Sequence, residues 1–198
     1  MYYPEHQVIS VHIPKTAGNS IARGLASNGF AKTVLLKKHA KAQEYREVVG
    51  KRVWEEYFTF AFVRNPWDLM VSSYNWWLQK ASKYEQLHQE IEAIRQLGSF
   101  PAFINSIYGS MMVNEYYGSI VDWICDCRQK VIVEFVGKFE SLDNDWSYIC
   151  KRLSLKETTL PHTNQTSRRT YRDYYDTKSK KIVEQRFEWA IQQFEYSF

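Results

Sequence analysis

Lys15, Thr16 and Ser20 gather around Gly18 in the run Pro14-Lys15-Thr16-Ala17-Gly18-Asn19-Ser20, which combines one cation, two hydroxyls and a glycine. Those groups suit an anion of the phosphate type. The run follows Val8, Ile9, Val11 and Ile13, an apolar stretch of about the length of a buried strand, and Pro14 ends its pairing capacity. Gly18 is expected to let the backbone approach a ligand with no Cβ in the way. Asn19 or Ser20 is expected to cap a helix running through Ile21, Ala22 and Leu25. The order is therefore strand, cradle, helix, and a helix N-terminus presents N–H groups and partial positive charge to an anion. The pattern is not a Walker A loop, whose Lys follows the last glycine directly before Ser or Thr; here Lys15 comes early.

A second constellation follows another apolar run. Tyr57 to Val63 reads as a strand that ends in Arg64-Asn65-Pro66-Trp67-Asp68. Asn65 fits a helix N-cap, Pro66 the first helical position, and Asp68 the third, where a carboxylate complements the dipole. A magnesium-dependent nucleotidase places an acid at such a strand end to hold its metal. This chain places Arg64 there, with Ser72 and Ser73 two turns into the helix, which suits a second phosphate and disfavours a cation. Two anion sites on neighbouring strand ends with no metal carboxylate between them fit a ligand phosphorylated at both ends of a nucleoside, and no metal site is expected.

The run His12-Ile13-Pro14-Lys15-Thr16-Ala17-Gly18-Asn19-Ser20 resembles the 5'-phosphosulfate loop of the Golgi-type carbohydrate sulfotransferase superfamily, sulfotransferase family 2. Phe62 to Asp68, continuing to Ser72, Ser73 and Tyr74, resembles its 3'-phosphate element. Phe135-Val136-Gly137-Lys138-Phe139-Glu140 and Phe194-Glu195-Tyr196-Ser197-Phe198 are similar to later segments, so the likeness spans nearly the whole chain. It implies 3'-phosphoadenosine 5'-phosphosulfate (PAPS) as donor, adenosine 3',5'-bisphosphate as product, and a hydroxyl-bearing acceptor with carbohydrate favoured. Departures from the pattern are Ala17 and Asn19 in place of Gly and Thr, Leu69 where Arg often follows Asp68, and Ala190 where an acid is common.

The resemblance also suggests roles. Lys15 is suited to stabilise charge on the leaving phosphate oxygen, an effect typically worth about 3 kcal/mol or more, and it joins Thr16, Ala17, Gly18, Asn19 and Ser20 in cradling the 5' group. Of the five histidines, His6, His12 and His88 read as structural or solvated. His39, in Lys37-Lys38-His39-Ala40-Lys41, lies between the two motifs, where related sulfotransferases tend to carry a catalytic histidine. An imidazole kept neutral by neighbouring lysines can take a proton at physiological pH; Glu55 and Glu56 are the alternatives, with His162 a weaker candidate. Arg64 and Ser72 are assigned to the 3' phosphate. Asn164, Ser167 and Arg168, with Arg169, are expected to close over the adenosine or its 3' phosphate, and Glu140 to order the fold.

Positioning these groups calls for an α/β domain, a central parallel sheet flanked by helices in a P-loop-like sulfotransferase fold, with ligands at the carboxyl ends of the strands. A single domain over residues 1–198 is expected. Further along, Leu87, Ile91, Ile94 and Leu97 share a helical face closed by Gly98, Val131 to Val136 reads as a strand, and Leu142 to Leu153 as a helix. Leu160 to Arg172 reads as a basic loop, and a last helix starts near Lys178 with Val183, Phe187, Ile191 and Phe194 in phase. Seven Trp, 14 Tyr and 11 Phe mainly supply core area. A net charge of +4 fits an anionic cofactor but lacks the basic stripe of a nucleic-acid binder. Cys125, Cys127 and Cys150 read as inert thiols of a reducing compartment. With no apolar leader and no run near the roughly 18 residues of a membrane span, a soluble, cytoplasmic protein is expected. A P-loop kinase and a noncatalytic anion-binding relative are the competing readings.

Overall fold

The computed structural model describes residues 1–79, 84–113, 116–117, 119–156, 160 and 169–198. In chain order its elements are β1 (Tyr2–Tyr3), β2 (Val8–Val11), α1 (Gly18–Ser27), α2 (Ala42–Glu56), β3 (Phe58–Val63), α3 (Pro66–Gln79), α4 (His88–Gln96), α5 (Phe100–Asn105), β4 (Met111–Val113), β5 (Tyr116–Tyr117), α6 (Ile120–Ile124), β6 (Phe135–Lys138), α7 (Leu142–Arg152), α8 (Thr177–Arg186) and α9 (Glu188–Gln193). They divide into two compact units, the first made of Met1–Arg64 with Ile120–Thr163, the second of Asn65–Ser119 with Asn164–Phe198.

The first unit holds a four-stranded sheet in the order β1-β2-β3-β6, in which β2, β3 and β6 run parallel and β1 is an antiparallel edge. Every residue of β3 is buried, because both faces of a parallel strand are covered and an unbroken apolar run is then favourable. Phe58, Phe60 and Phe62 pack with Ile21 and Leu25 of α1 and with Trp146 and Ile149 of α7. Each such side chain contributes about 1.5–3 kcal/mol by leaving water. Gly24 lets α1 approach α7 closely, since a Cβ there would stand 2.8 Å from the Trp146 ring.

The third parallel strand differs from the sequence expectation. Val131 makes only an isolated antiparallel bridge with Cys125, and pairing with β3 begins at Phe135. Side chains from distant elements satisfy the preceding backbone instead. Trp54 Nε1 donates to the Ile132 carbonyl at 3.1 Å, and Thr59 Oγ1 accepts the Glu134 N–H at 2.8 Å. Gly137 lies within the strand; a Cβ there would meet the Phe62 ring at 2.6 Å.

The second unit is built around α3. Asn65 caps it as expected: its Oδ1 accepts from the Trp67 N–H at 3.1 Å and the Asp68 N–H at 3.4 Å. The same side chain donates from Nδ2 to the Ser197 carbonyl at 2.9 Å. Trp67 Nε1 donates to the Lys180 carbonyl, and the Tyr175 hydroxyl donates to the Trp67 carbonyl. These bonds fasten α3 to α8 and to the segment before it. The expected last helix is two helices, α8 and α9, separated at Phe187 by φ −112° and ψ 19°. Ala190 is fully buried in α9, a place where an unpaired acid would be costly.

Candidate active site

The anion loop departs from β2 earlier than expected. Sheet pairing stops at Val11, and His12 and Ile13 continue as buried backbone outside the sheet. Thr16 is 1% exposed and its hydroxyl donates to the Ile13 carbonyl at 3.0 Å. Its side chain therefore shapes the turn, and what it offers a ligand comes from the backbone. Lys15 and Ala17 both adopt left-handed conformations at φ +67°, which costs an L-residue roughly 1–2 kcal/mol. Left-handed residues on either side of Thr16 are the kind of backbone alternation from which anion-binding nests are built.

Ala17, rather than Asn19 or Ser20, is the N-cap of α1, and its carbonyl accepts from the Ser20 N–H at 2.8 Å and the Ile21 N–H at 3.1 Å. Ala17 supplies no capping side chain and no acid lies in the first turn, an arrangement favourable to an anion at this end. Gly18 is required for a reason the sequence did not reveal: a Cβ would sit 2.0 Å from His12 Cδ2 and 2.1 Å from Nε2. The glycine makes room for an imidazole of its own unit. The start of α1 thus combines an alanine N-cap, left-handed backbone at Lys15 and Ala17, an exposed Asn19 and a buried Ser20, a setting whose chemistry suits an anionic group.

His39 lies in the same neighbourhood. Its Nδ1 is 2.9 Å from the His12 carbonyl, and the two imidazole rings are 4.4 Å apart between centroids. A carbonyl only accepts, so in the neutral ring Nδ1 carries the hydrogen and Nε2 the lone pair. The His39 carbonyl in turn accepts from Trp123 Nε1 at 3.2 Å, and Lys41 lies 5.6 Å over the Trp123 ring. His39 is thus held at its backbone and at one ring nitrogen. Burial lowers its pKa from 6.5 to about 4; the His12 carbonyl opposes that shift, while the charges of Lys38 and Lys15 and the chain-terminal amine reinforce it. Burial also holds His12 well below the ordinary value, helped by His39 and Lys38. Lys38 is itself lowered by burial and by Lys32. The result is a neutral, oriented imidazole within the field of Lys15.

Arg64 follows the central strand β3 and reaches to both neighbours. Its Nη1 donates to the Lys15 carbonyl at 2.9 Å, in the loop after β2. Its Cζ lies 3.8 Å from the centroid of Phe139, in the turn after β6. Arg64 is only 6% exposed. A bond from a charged donor to a neutral carbonyl contributes about 1.5–3 kcal/mol, enough to offset the left-handed strain at Lys15.

The structure brings Lys15 to Ser20, His39 and Arg64 into the first unit. Ser72 belongs to the second unit, on α3, where it is buried. Asn164, Ser167, Arg168 and His162 lie outside the described residues. Glu55 and Glu56 sit on α2, exposed and paired with Lys51 and Arg52 at 3.8 Å each. Glu140 is exposed in the turn Phe139–Ser141. Among the described residues no three His, Cys, Asp or Glu side chains gather into a potential metal site, and no helix is long and apolar enough to cross a membrane. Sequence reasoning set His12 aside and gave Phe139 no role; only the placing of Phe139 directly after an apolar strand hinted at the latter.

A largely parallel sheet with a left-handed loop after one strand and a buried arginine after the next is an α/β architecture of the kind that takes its ligands at the carboxyl ends of its strands. The sequence matches the Sulfotransferase family over residues 1–197, and the chain belongs to that family. It is also 29% identical over 129 residues to an uncharacterized protein of Archaeoglobus fulgidus, a match covering 64% of this chain and 92% of that protein. No solved structure matches it.

Proposed function

We propose that the protein, acting as one sulfotransferase domain, transfers a sulfuryl group from PAPS to an acceptor hydroxyl, with a carbohydrate as the favoured acceptor and the cytoplasm as its place of action. Family membership supports sulfotransferase chemistry in general. The observation that carries the finer reading is the tautomer of His39: Nδ1 donates to the His12 carbonyl within the field of Lys15, which puts the basic lone pair on Nε2.

PAPS, when bound, supplies a sulfuryl group on a phosphate leaving group, with adenosine 3',5'-bisphosphate as the product. Lys15 and the backbone of Thr16, Ala17, Gly18, Asn19 and Ser20 hold its 5' end, and the Lys15 ammonium gains strength as negative charge grows on the phosphate oxygen. His39 takes the acceptor's hydroxyl proton at Nε2, and the His12 carbonyl stabilises the imidazolium through Nδ1–H. Arg64 and Ser72 serve the 3' phosphate, and Asn164, Ser167 and Arg168 close over the nucleoside. No carboxylate or metal ion enters this scheme.

Incubation with labelled PAPS and a panel of oligosaccharides, with and without a chelator, tests the reading. Label transfer that survives chelation is expected. Transfer from ATP with a strict magnesium requirement would instead establish the kinase alternative, and adenosine 3',5'-bisphosphate binding with no turnover on any acceptor would favour a noncatalytic relative.

A further inference from the structure

We infer that Phe139 is a positioning residue for Lys15: it orients the Arg64 guanidinium, and the guanidinium holds the anion loop in its working conformation. This rests on the reading of Lys15 as a ligand of the donor's 5' end. Three parallel strands stand in the order β2-β3-β6, and the residues just beyond their carboxyl ends form one connected row. Arg64, after the middle strand, bonds the Lys15 carbonyl on one side and lies against the Phe139 ring on the other. An arginine stacked on a ring keeps its N–H donors directed outward in one plane, so the ring fixes where those donors point.

The ring is itself anchored. Phe139 opens the turn Phe139–Ser141, and Asp145 Oδ2 accepts from the Lys138 N–H and from the Ser141 hydroxyl, both at 2.7 Å. Asp145 lies on α7, whose Trp146 and Ile149 are in the core. A continuous path thus runs from a core helix through the turn, Phe139 and Arg64 to a lysine held at φ +67°. A cation fixed in place binds and stabilises an anion better than one that must first be ordered. Phe139 thereby reaches the anion site without needing to touch the ligand.

The test is a double-mutant cycle with Lys15→Ala and Phe139→Ala in the full chain, using adenosine 5'-phosphate as the calorimetric probe, because it lacks the 3' phosphate. Each single variant is expected to weaken binding about 5–10-fold, and the double variant to be no more than about 2-fold weaker than the poorer single one. Phe139→Tyr, which keeps the aromatic face, should stay within about 2-fold of wild type. Amide hydrogen exchange at residues 15–18 should be faster in Phe139→Ala without any ligand. If Phe139→Ala proves unfolded, Phe139→Leu keeps most of the volume without the face and should show the same loss. Wild-type affinity in the folded Phe139 variants, or losses that multiply in the double variant, would overturn the inference while leaving Lys15 as a ligand. Lys15→Ala at wild-type affinity would overturn the donor-site reading itself, and this inference with it.

Discussion

Acid should destabilise the sheet-bearing unit through His39. The fold lowers the pKa of this group from 6.5 to about 4, with burial as the largest cause. Above pH 6.5 neither the folded nor the unfolded chain binds a proton there, and stability does not depend on it. As pH falls from 6.5 towards 4 the unfolded chain takes up a proton that the folded chain refuses, so stability is lost through that window; below it both states are protonated and the loss levels off. Each tenfold difference in proton affinity between the two states corresponds to about 1.4 kcal/mol, so moving from pH 7.5 to 4.5 should remove about 2.5 kcal/mol through His39. His12, held low for the same reason, adds loss of the same sign. The perturbation is His39→Gln, which keeps a donor for the His12 carbonyl and does not titrate. Urea unfolding of both proteins at pH 7.5 and 4.5 gives the comparison, in which contributions shared by the two, such as that of the terminal amine, cancel. Wild type should lose about 2.5 kcal/mol more than the variant. Equal losses would mean that His39 is not a buried neutral imidazole, and the tautomer argument for its catalytic role would fall too.

Other outcomes follow from the same geometry. In steady-state kinetics the acid limb of kcat/KM should lie near pH 4–5 instead of 6.5, because the free enzyme's base is already depressed, and the limb of kcat should lie higher, since a bound anionic donor favours the imidazolium. His39→Ala should cost roughly 100-fold in rate and abolish both limbs; an unchanged profile would remove His39 from the reaction. Gly18→Ala should destabilise by about 1–3 kcal/mol, because its Cβ enters the His12 ring, and His12→Ala in the same chain should recover part of that in thermal melts. Additive losses would show that the collision is not the cause. Ala17→Gly should gain about 0.5–1 kcal/mol, the relief of a left-handed residue less the added freedom of an unfolded glycine; a lower melting temperature would contradict it.

The sequence is most readable where the signals are local. The strand before Lys15, the Asn65-Pro66 cap and the α7 pattern depend on residues within a few positions of each other, and each element stands close to its expected place. Signals that need a distant partner are not legible in the same way. The strand after Val131 starts late because Trp54 and Thr59 satisfy its approach, and neither is near it in sequence. The cap of α1 falls on Ala17, which has no capping side chain, because its left-handed backbone starts the helix. The sequence places His39 among Lys37, Lys38 and Lys41 and carries no sign that it is buried. The residue is instead largely buried, with Trp123 Nε1 bonded to its carbonyl, a contact between residues far apart in the chain.

Arg64 explains why this strand end needs arginine in particular. One N–H bonds the backbone of the loop after β2 while its flat face meets the ring after β6. Lysine could match the charge but has neither a face to stack nor a rigid fork, and its ammonium cannot serve a carbonyl and a phosphate in fixed directions. Arg64→Lys is therefore expected to behave as a disruptive change. It should weaken adenosine 3',5'-bisphosphate binding about 10-fold or more and quicken exchange in the Lys15 loop, although net charge is unchanged. Wild-type affinity with a wild-type loop would mean that charge alone is needed at this position, and that the row of contacts across the three strand ends merely packs the fold.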